Sequence, residues 1–145
     1  MDTETTTCAH SKEESSGHVR RAGIDPNRWY MIAKISDIGE KPLAREIWRH
    51  PVVLFRTQAG QLHALETRCA HRFVRLSHGR VIDDNIECAY HGWRFNTAGR
   101  CVHVPQLADR TSLPKSQVRS FPVIERNGFV WIFPGDPDLS ATTAP

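Results

Sequence analysis

The stretch that decides the reading is Cys69-Ala70-His71-Arg72, followed after sixteen residues by Cys88-Ala89-Tyr90-His91-Gly92-Trp93-Arg94-Phe95. Each half supplies one thiol and one imidazole, so the two halves together offer four metal-ligating side chains. A structural zinc site can also be built from two Cys and two His in tetrahedral geometry. Zinc modules usually pair Cys with Cys and His with His, whereas here each pair is mixed. The mixed set suits a two-iron, two-sulfide cluster in which one iron takes two thiolates and the other two neutral imidazoles, the imidazoles raising the potential. Splitting the ligands over two loops allows each loop to wrap one side of the flat cluster, and Gly79 and Gly92 offer the backbone freedom that tight loops tend to need.

Outward from this pair, the chain between Trp29 and Phe133 reads as short apolar and β-branched runs separated by turn signals. The expected strands are 29–33, 52–57, 62–66, 86–88, 118–124 and 129–133. Turns are expected at 57–60, 83–85, 96–99 and 126–128, and Asn127-Gly128 is the strongest hairpin signal because both residues tolerate positive φ. No helical period is sustained, and residues 35–40 make at most a helical turn. The fold class expected is therefore all-β, built of small antiparallel sheets with two ligand loops.

Residues 1–26 form a polar tail with almost no large apolar side chain, too little to offset the entropy of ordering. Residues 27–137 form the folded domain, and 138–145 read as a linker or frayed end. At 145 residues, one domain with a real core is the natural expectation. The charged fraction of 24% and hydrophobic fraction of 39% fit a soluble globular chain. A net charge of +3 is too small and too scattered for a nucleic-acid footprint. The apolar runs fall far short of the roughly 20 residues a spanning helix needs, and no secretory or transit signal opens the chain. Neither nucleic acid nor membrane is expected as a partner, and the cytoplasm is the expected compartment.

The two ligand segments, with the following Gly99-Arg100-Cys101-Val102-His103-Val104-Pro105, resemble the N-terminal Rieske domain of Rieske non-haem iron oxygenases. Trp29-Tyr30, Val53-Leu54-Phe55-Arg56 and the closing 131–137 segment agree with the likeness, which covers about residues 27–137. Arg72 and Trp93 favour the oxygenase branch over the soluble Rieske ferredoxins. The resemblance implies a Rieske iron–sulfur fold and a [2Fe–2S] cluster held by Cys69, His71, Cys88 and His91. It also implies one-electron transfer from a flavin or iron–sulfur reductase, or a ferredoxin, to a mononuclear iron in a catalytic domain, with a homotrimer as the full-length assembly and His91 as the exit. Oxygenase-type iron is held by two His and a carboxylate. No His follows His103, so this chain by itself is expected to lack that catalytic site, and a free-standing Rieske ferredoxin is the alternative reading. Respiratory members brace their loops with a disulfide; the corresponding places here are Val74 and Tyr90.

The other candidate residues have plainer readings. His50, His63, His78 and His103 read as surface or loop histidines, Cys101 as a small packed side chain, and Cys8 as exposed and incidental. Tyr90 and Trp93 flank His91 and read as packing around the cluster, with control of water access and potential as a second role. Arg72 reads either as a brace for the first ligand loop and the negative cluster or as plain surface charge.

Overall fold

The computed structural model describes residues 24–68, 74–107 and 113–145. The expected tail at 1–26 therefore lies almost wholly outside the described residues, as do Cys69, His71, Arg72 and Cys8.

Eleven short strands are described: β1 (Tyr30–Lys34), β2 (Leu43–Ile47), β3 (His50–Arg56), β4 (Leu62–Glu66), β5 (Arg80–Ile82), β6 (Asn85–Glu87), β7 (Arg94–Phe95), β8 (Cys101–His103), β9 (Ser120–Phe121), β10 (Val123–Arg126) and β11 (Phe129–Ile132). They form three antiparallel sheets in the orders β1-β11-β10, β2-β3-β4-β9 and β5-β6-β7-β8. The only other regular pieces among the described residues are 3-10 turns at Ile35–Asp37 and Leu76–His78 and one turn of helix, α1 (Pro137–Ser140). The expected all-β architecture of small antiparallel sheets is what the chain adopts.

β3 organises the packing. Successive strand residues point to opposite faces, and both faces of β3 are covered, so Val52, Val53, Leu54 and Phe55 are all at most 1% exposed. Val52 and Leu54 join one core with Ala33, Ile47, Ala64, Phe121, Val130 and Ile132. Val53 and Phe55 join a second with Leu65, Leu76, Ile86, Cys88, Phe95, Cys101, Val104 and Val118. The second core lies beneath the segment that carries Cys88, so one continuous apolar run connects the structural half of the molecule to its chemical half. Arg56 of β3 pairs with Glu125 of β10, tying two sheets together.

Turn chemistry follows the sequence at four places. Gly60 N–H donates to Thr57 O and Gly99 N–H to Asn96 O, both at 2.9 Å. Asp83-Asp84 (φ 50° and 62°) and Asn127-Gly128 (φ 54° and 81°) provide the left-handed pairs that join β5 to β6 and β10 to β11.

The structure departs from the sequence reading in several places. The expected strand 118–124 is interrupted: Pro122 separates β9 from β10, which belong to different sheets. A proline has no N–H for a ladder, so a continuous central strand through it was excluded. β2 and its hairpin with β3 were not anticipated; the connecting pair Trp48-Arg49 has φ of 47° and 67°. Residues 138–145, expected as a linker or frayed end, include most of α1, which Asp136 caps by accepting from Asp138 N–H at 3.0 Å. The backbone carbonyl of Thr143 also accepts from Trp29 Nε1 at 2.8 Å, so the two ends of the described domain meet.

Because Phe55 is buried in the second core, Phe55→Ala should destabilise the protein by about 3–5 kcal/mol, the usual range for truncating a buried phenylalanine. Thermal unfolding followed by circular dichroism checks this; a loss below about 1 kcal/mol would contradict the central place given to β3.

Candidate metal centre

Two loops interrupt the sheets on the side of the second core, and each is closed at its base by backbone pairing. The first leaves β4 and returns at Arg75. Arg68 and Arg75 form an isolated antiparallel bridge, and Leu76 N–H donates to Thr67 O. The buried Thr67 hydroxyl adds contacts at 3.3 Å to the backbone N–H and side-chain oxygen of Ser77. Residues 69–73, with Cys69 and His71, lie outside the described residues.

The second loop runs from Cys88 to Trp93 between β6 and β7. Cys88 N–H donates to Trp93 O at 2.7 Å and Gly92 N–H to Cys88 O at 3.0 Å, so the loop turns tightly over four residues. Gly92 sits at φ +71°, the left-handed region. An added Cβ there would stand 3.0 Å from Pro105 Cγ. Gly79 is required for a different reason from the one expected. Its φ is an ordinary −86°, but an added Cβ would lie 1.8 Å from the Glu87 carbonyl oxygen. Close approach of two backbones, rather than a special dihedral, demands the glycine.

Within the second loop, Cys88 is 3% exposed and belongs to the core. His91 is half-buried, with Nε2 shielded from solvent. The described half of the expected donor set is thus one shielded thiol and one imidazole on a single tight loop, the combination a mixed Cys/His cluster asks of each side. Val74, Leu76, Cys88 and Trp93 all pack in or against the same core, which brings the bases of both loops together. The described half of the donor set fits such a group.

The flanking aromatics divide. Trp93 packs against the second core, whereas Tyr90 is turned away from the interior. It is 62% exposed, with its ring edge-on to His91 at 4.0 Å between centroids. Loop closure explains this: the short reversal from Cys88 to Gly92 turns Cys88 inward and leaves Ala89 and Tyr90 outside.

Below the loop lies an ion ladder that the sequence reading did not pick out. Glu87, whose side chain is 14% exposed, accepts from Arg94 Nε at 2.8 Å and from Arg80 Nε at 3.0 Å. Arg94 also lies 3.8 Å from the Asp83 carboxylate. Burial pushes the Glu87 carboxyl pKa upward, but the hydrogen bonds and charges of the two arginines outweigh it and hold the group below its ordinary value. Nothing in the sequence alone pairs these residues; only the cross-strand register Arg80↔Glu87↔Arg94 does.

Among the remaining histidines, His50 and His78 are exposed. His63 departs from the expected surface or loop position. It lies on β4 with Nε2 buried and no hydrogen-bond partner among the described residues. Burial lowers its pKa against an opposing pull from Asp84. Its place opposite Phe55 in the ladder explains the burial, since the β3 face it meets is covered. Cys101 is a buried thiol whose pKa burial raises, consistent with a packed side chain.

Comparison with known proteins agrees with this geometry. Residues 28–122 match the family model of the Rieske [2Fe-2S] domain. The chain belongs to that family, whose members hold a [2Fe–2S] cluster and transfer electrons. More particularly, its relatives are Rieske oxygenase components. It is 44% identical over 115 residues to the oxygenase component of dicamba O-demethylase from Stenotrophomonas maltophilia, covering 79% of this chain and 33% of that one. It is 41% identical over 128 residues to 4beta-methylsterol monooxygenase from Methylococcus capsulatus, covering 86% and 35%. The crystal structure of apo dicamba monooxygenase superposes with a TM-score of 0.72 at 44% identity over 79% of this chain and 35% of that one. The chain therefore spans about one third of the length of these relatives. No helix among the described residues is long and apolar enough to cross a membrane.

Gly79→Ala places a methyl against backbone that cannot rotate away, and should cost about 3 kcal/mol, the upper end of the usual overpacking penalty. Comparing its thermal unfolding with that of Gly39→Ala, where an added Cβ meets nothing within 4 Å, checks this; equal melting temperatures would refute the close-approach account.

Proposed function

We propose that Cys69, His71, Cys88 and His91 hold the [2Fe–2S] cluster, and that the domain takes single electrons from a flavin or iron–sulfur reductase, or a ferredoxin, and passes them to a mononuclear iron in a catalytic domain. The observation that carries this reading is the second loop, where a shielded Cys88 thiol and the His91 imidazole share one tight reversal next to the base of the Cys69–His71 loop. The cluster, when bound, supplies reversible one-electron chemistry. The chain's own residues hold the ligands and exclude water: Trp93, Val74 and Leu76 pack behind Cys88, and the closed loop bases fix where Cys88 and His91 stand. His91 is the exit, with Tyr90 exposed beside it. Relatives named as oxygenase components of demethylase and monooxygenase systems support the oxygenase setting, and a homotrimer is the assembly this setting implies.

Two outcomes test the reading. Protein made with ample iron and sulfide should bind two irons and two sulfides and show the rhombic, low average-g EPR signal of a reduced Rieske centre. Cys88→Ser should abolish or cripple that signal while Cys101→Ser leaves it, and stoichiometric zinc in place of iron would sink the assignment.

The potential is the second outcome. Val74 and Tyr90 stand where respiratory members place their disulfide, and Trp93 stands where those members place a hydroxyl that stabilises the reduced cluster. Trp93 is packed against the core. Voltammetry at neutral pH should therefore give a value toward the low end of the Rieske range, about −150 mV. A potential well above 0 mV would move the protein toward quinol oxidation.

A further inference from the structure

Glu87 stands at a junction of three strand ends that flank both ligand loops. Arg80 opens β5, directly after the first loop and its 3-10 turn; Glu87 closes β6, directly before Cys88; Arg94 opens β7, directly after Trp93. In the ladder Arg80 lies opposite Glu87, and Glu87 opposite Arg94. Directly opposite residues project to the same face, and one carboxylate bonds both guanidinium groups at 3.0 and 2.8 Å. Strands β5 and β7 are three and two residues long. Backbone ladders this short supply few hydrogen bonds, so the side-chain tie carries a larger share of the alignment. The backbone contact of Gly79 against the Glu87 carbonyl locks the same junction from the main chain.

We propose that Glu87 is a positioning residue that aligns the two ligand loops through Arg80 and Arg94, and that the charges of this ladder set part of the cluster's potential. This rests on the cluster reading above. Aligning the loops fixes the spacing of the two ligand pairs, which governs how firmly the cluster is held. Reduction adds a negative charge, so a nearby carboxylate opposes it and a nearby guanidinium favours it. Removing one member of the ladder leaves its partner's charge uncompensated, and the sign of the shift depends on which member goes.

Cluster-loaded wild type is compared with Glu87→Gln, Glu87→Asp and Arg94→Gln, and with Glu125→Gln, which breaks the remote Arg56 pair. Each is measured by protein-film voltammetry and by the rate of cluster bleaching in EDTA. Glu87→Gln should raise the potential and Arg94→Gln lower it, both losing cluster at least threefold faster than wild type. Glu87→Asp keeps the charge but shortens the reach, so it should bleach faster with little change in potential. Glu125→Gln should match wild type in both readouts. A Glu87→Gln protein that is folded by circular dichroism but takes up no cluster also supports the positioning role, and if it does not fold, Glu87→Asp decides. Unchanged bleaching in the Glu87 variants, or potential shifts of the same sign in Glu87→Gln and Arg94→Gln, would overturn the proposal while leaving the cluster reading intact. Absence of a Rieske signal in wild type would overturn both.

Discussion

The constraint on which the rest depends is loop closure. A metal-binding loop has little regular structure of its own, so its ligands stand still only if the chain is pinned where the loop begins and ends. Here the pins are few and specific: Cys88 N–H to Trp93 O, Leu76 N–H to Thr67 O, and the Arg68–Arg75 bridge. Each lies over the core that Val53 and Phe55 reach from β3.

Much of the fold was legible because it depends on local chemistry. Asn127-Gly128 and the 57–60 turn declare themselves through residues that accept turn dihedrals, and β4 falls at residues 62–66 as its apolar pattern implies. β2 was not legible for an equally local reason. Leu43-Ala44-Arg45-Glu46-Ile47 is rich in helix formers and poor in β-branched residues, and Trp48-Arg49 carries no Gly or Asn to advertise positive φ. Tertiary pairing with Val52, Val53 and Leu54 overrides those preferences. The strand expected across Pro122 failed in the opposite sense: Val118, Phe121, Val123 and Ile124 give it a strand-like composition, but the missing N–H splits the run between two sheets.

The site divides in the same way. Mixed Cys/His spacing marks the two proposed ligand segments because metal geometry is imposed over a few residues. Burial of Cys88 follows from its alternation with Ile86 along β6 into the loop. What spacing does not carry is orientation and register. Tyr90 stands exposed against the His91 ring, a direction that depends on how the reversal closes. Glu87 pairs with arginines seven residues away on each side. A spacing of seven would share one face of a helix, but these residues lie on strands, and two successive antiparallel reversals bring them into line.

That arrangement bears on why the sheet beside the Cys88 loop tolerates such short strands. β5 to β8 contain two or three residues each, too few for independent stability. They are held from below by Ile86, Phe95 and Cys101 in the shared core and from the side by the Glu87 ladder. An electron-transfer centre benefits from a surround that does not rearrange when its charge changes. Bracing short strands with apolar contacts and one satisfied carboxylate holds the Cys88–Trp93 loop in place while Tyr90 stays open to solvent.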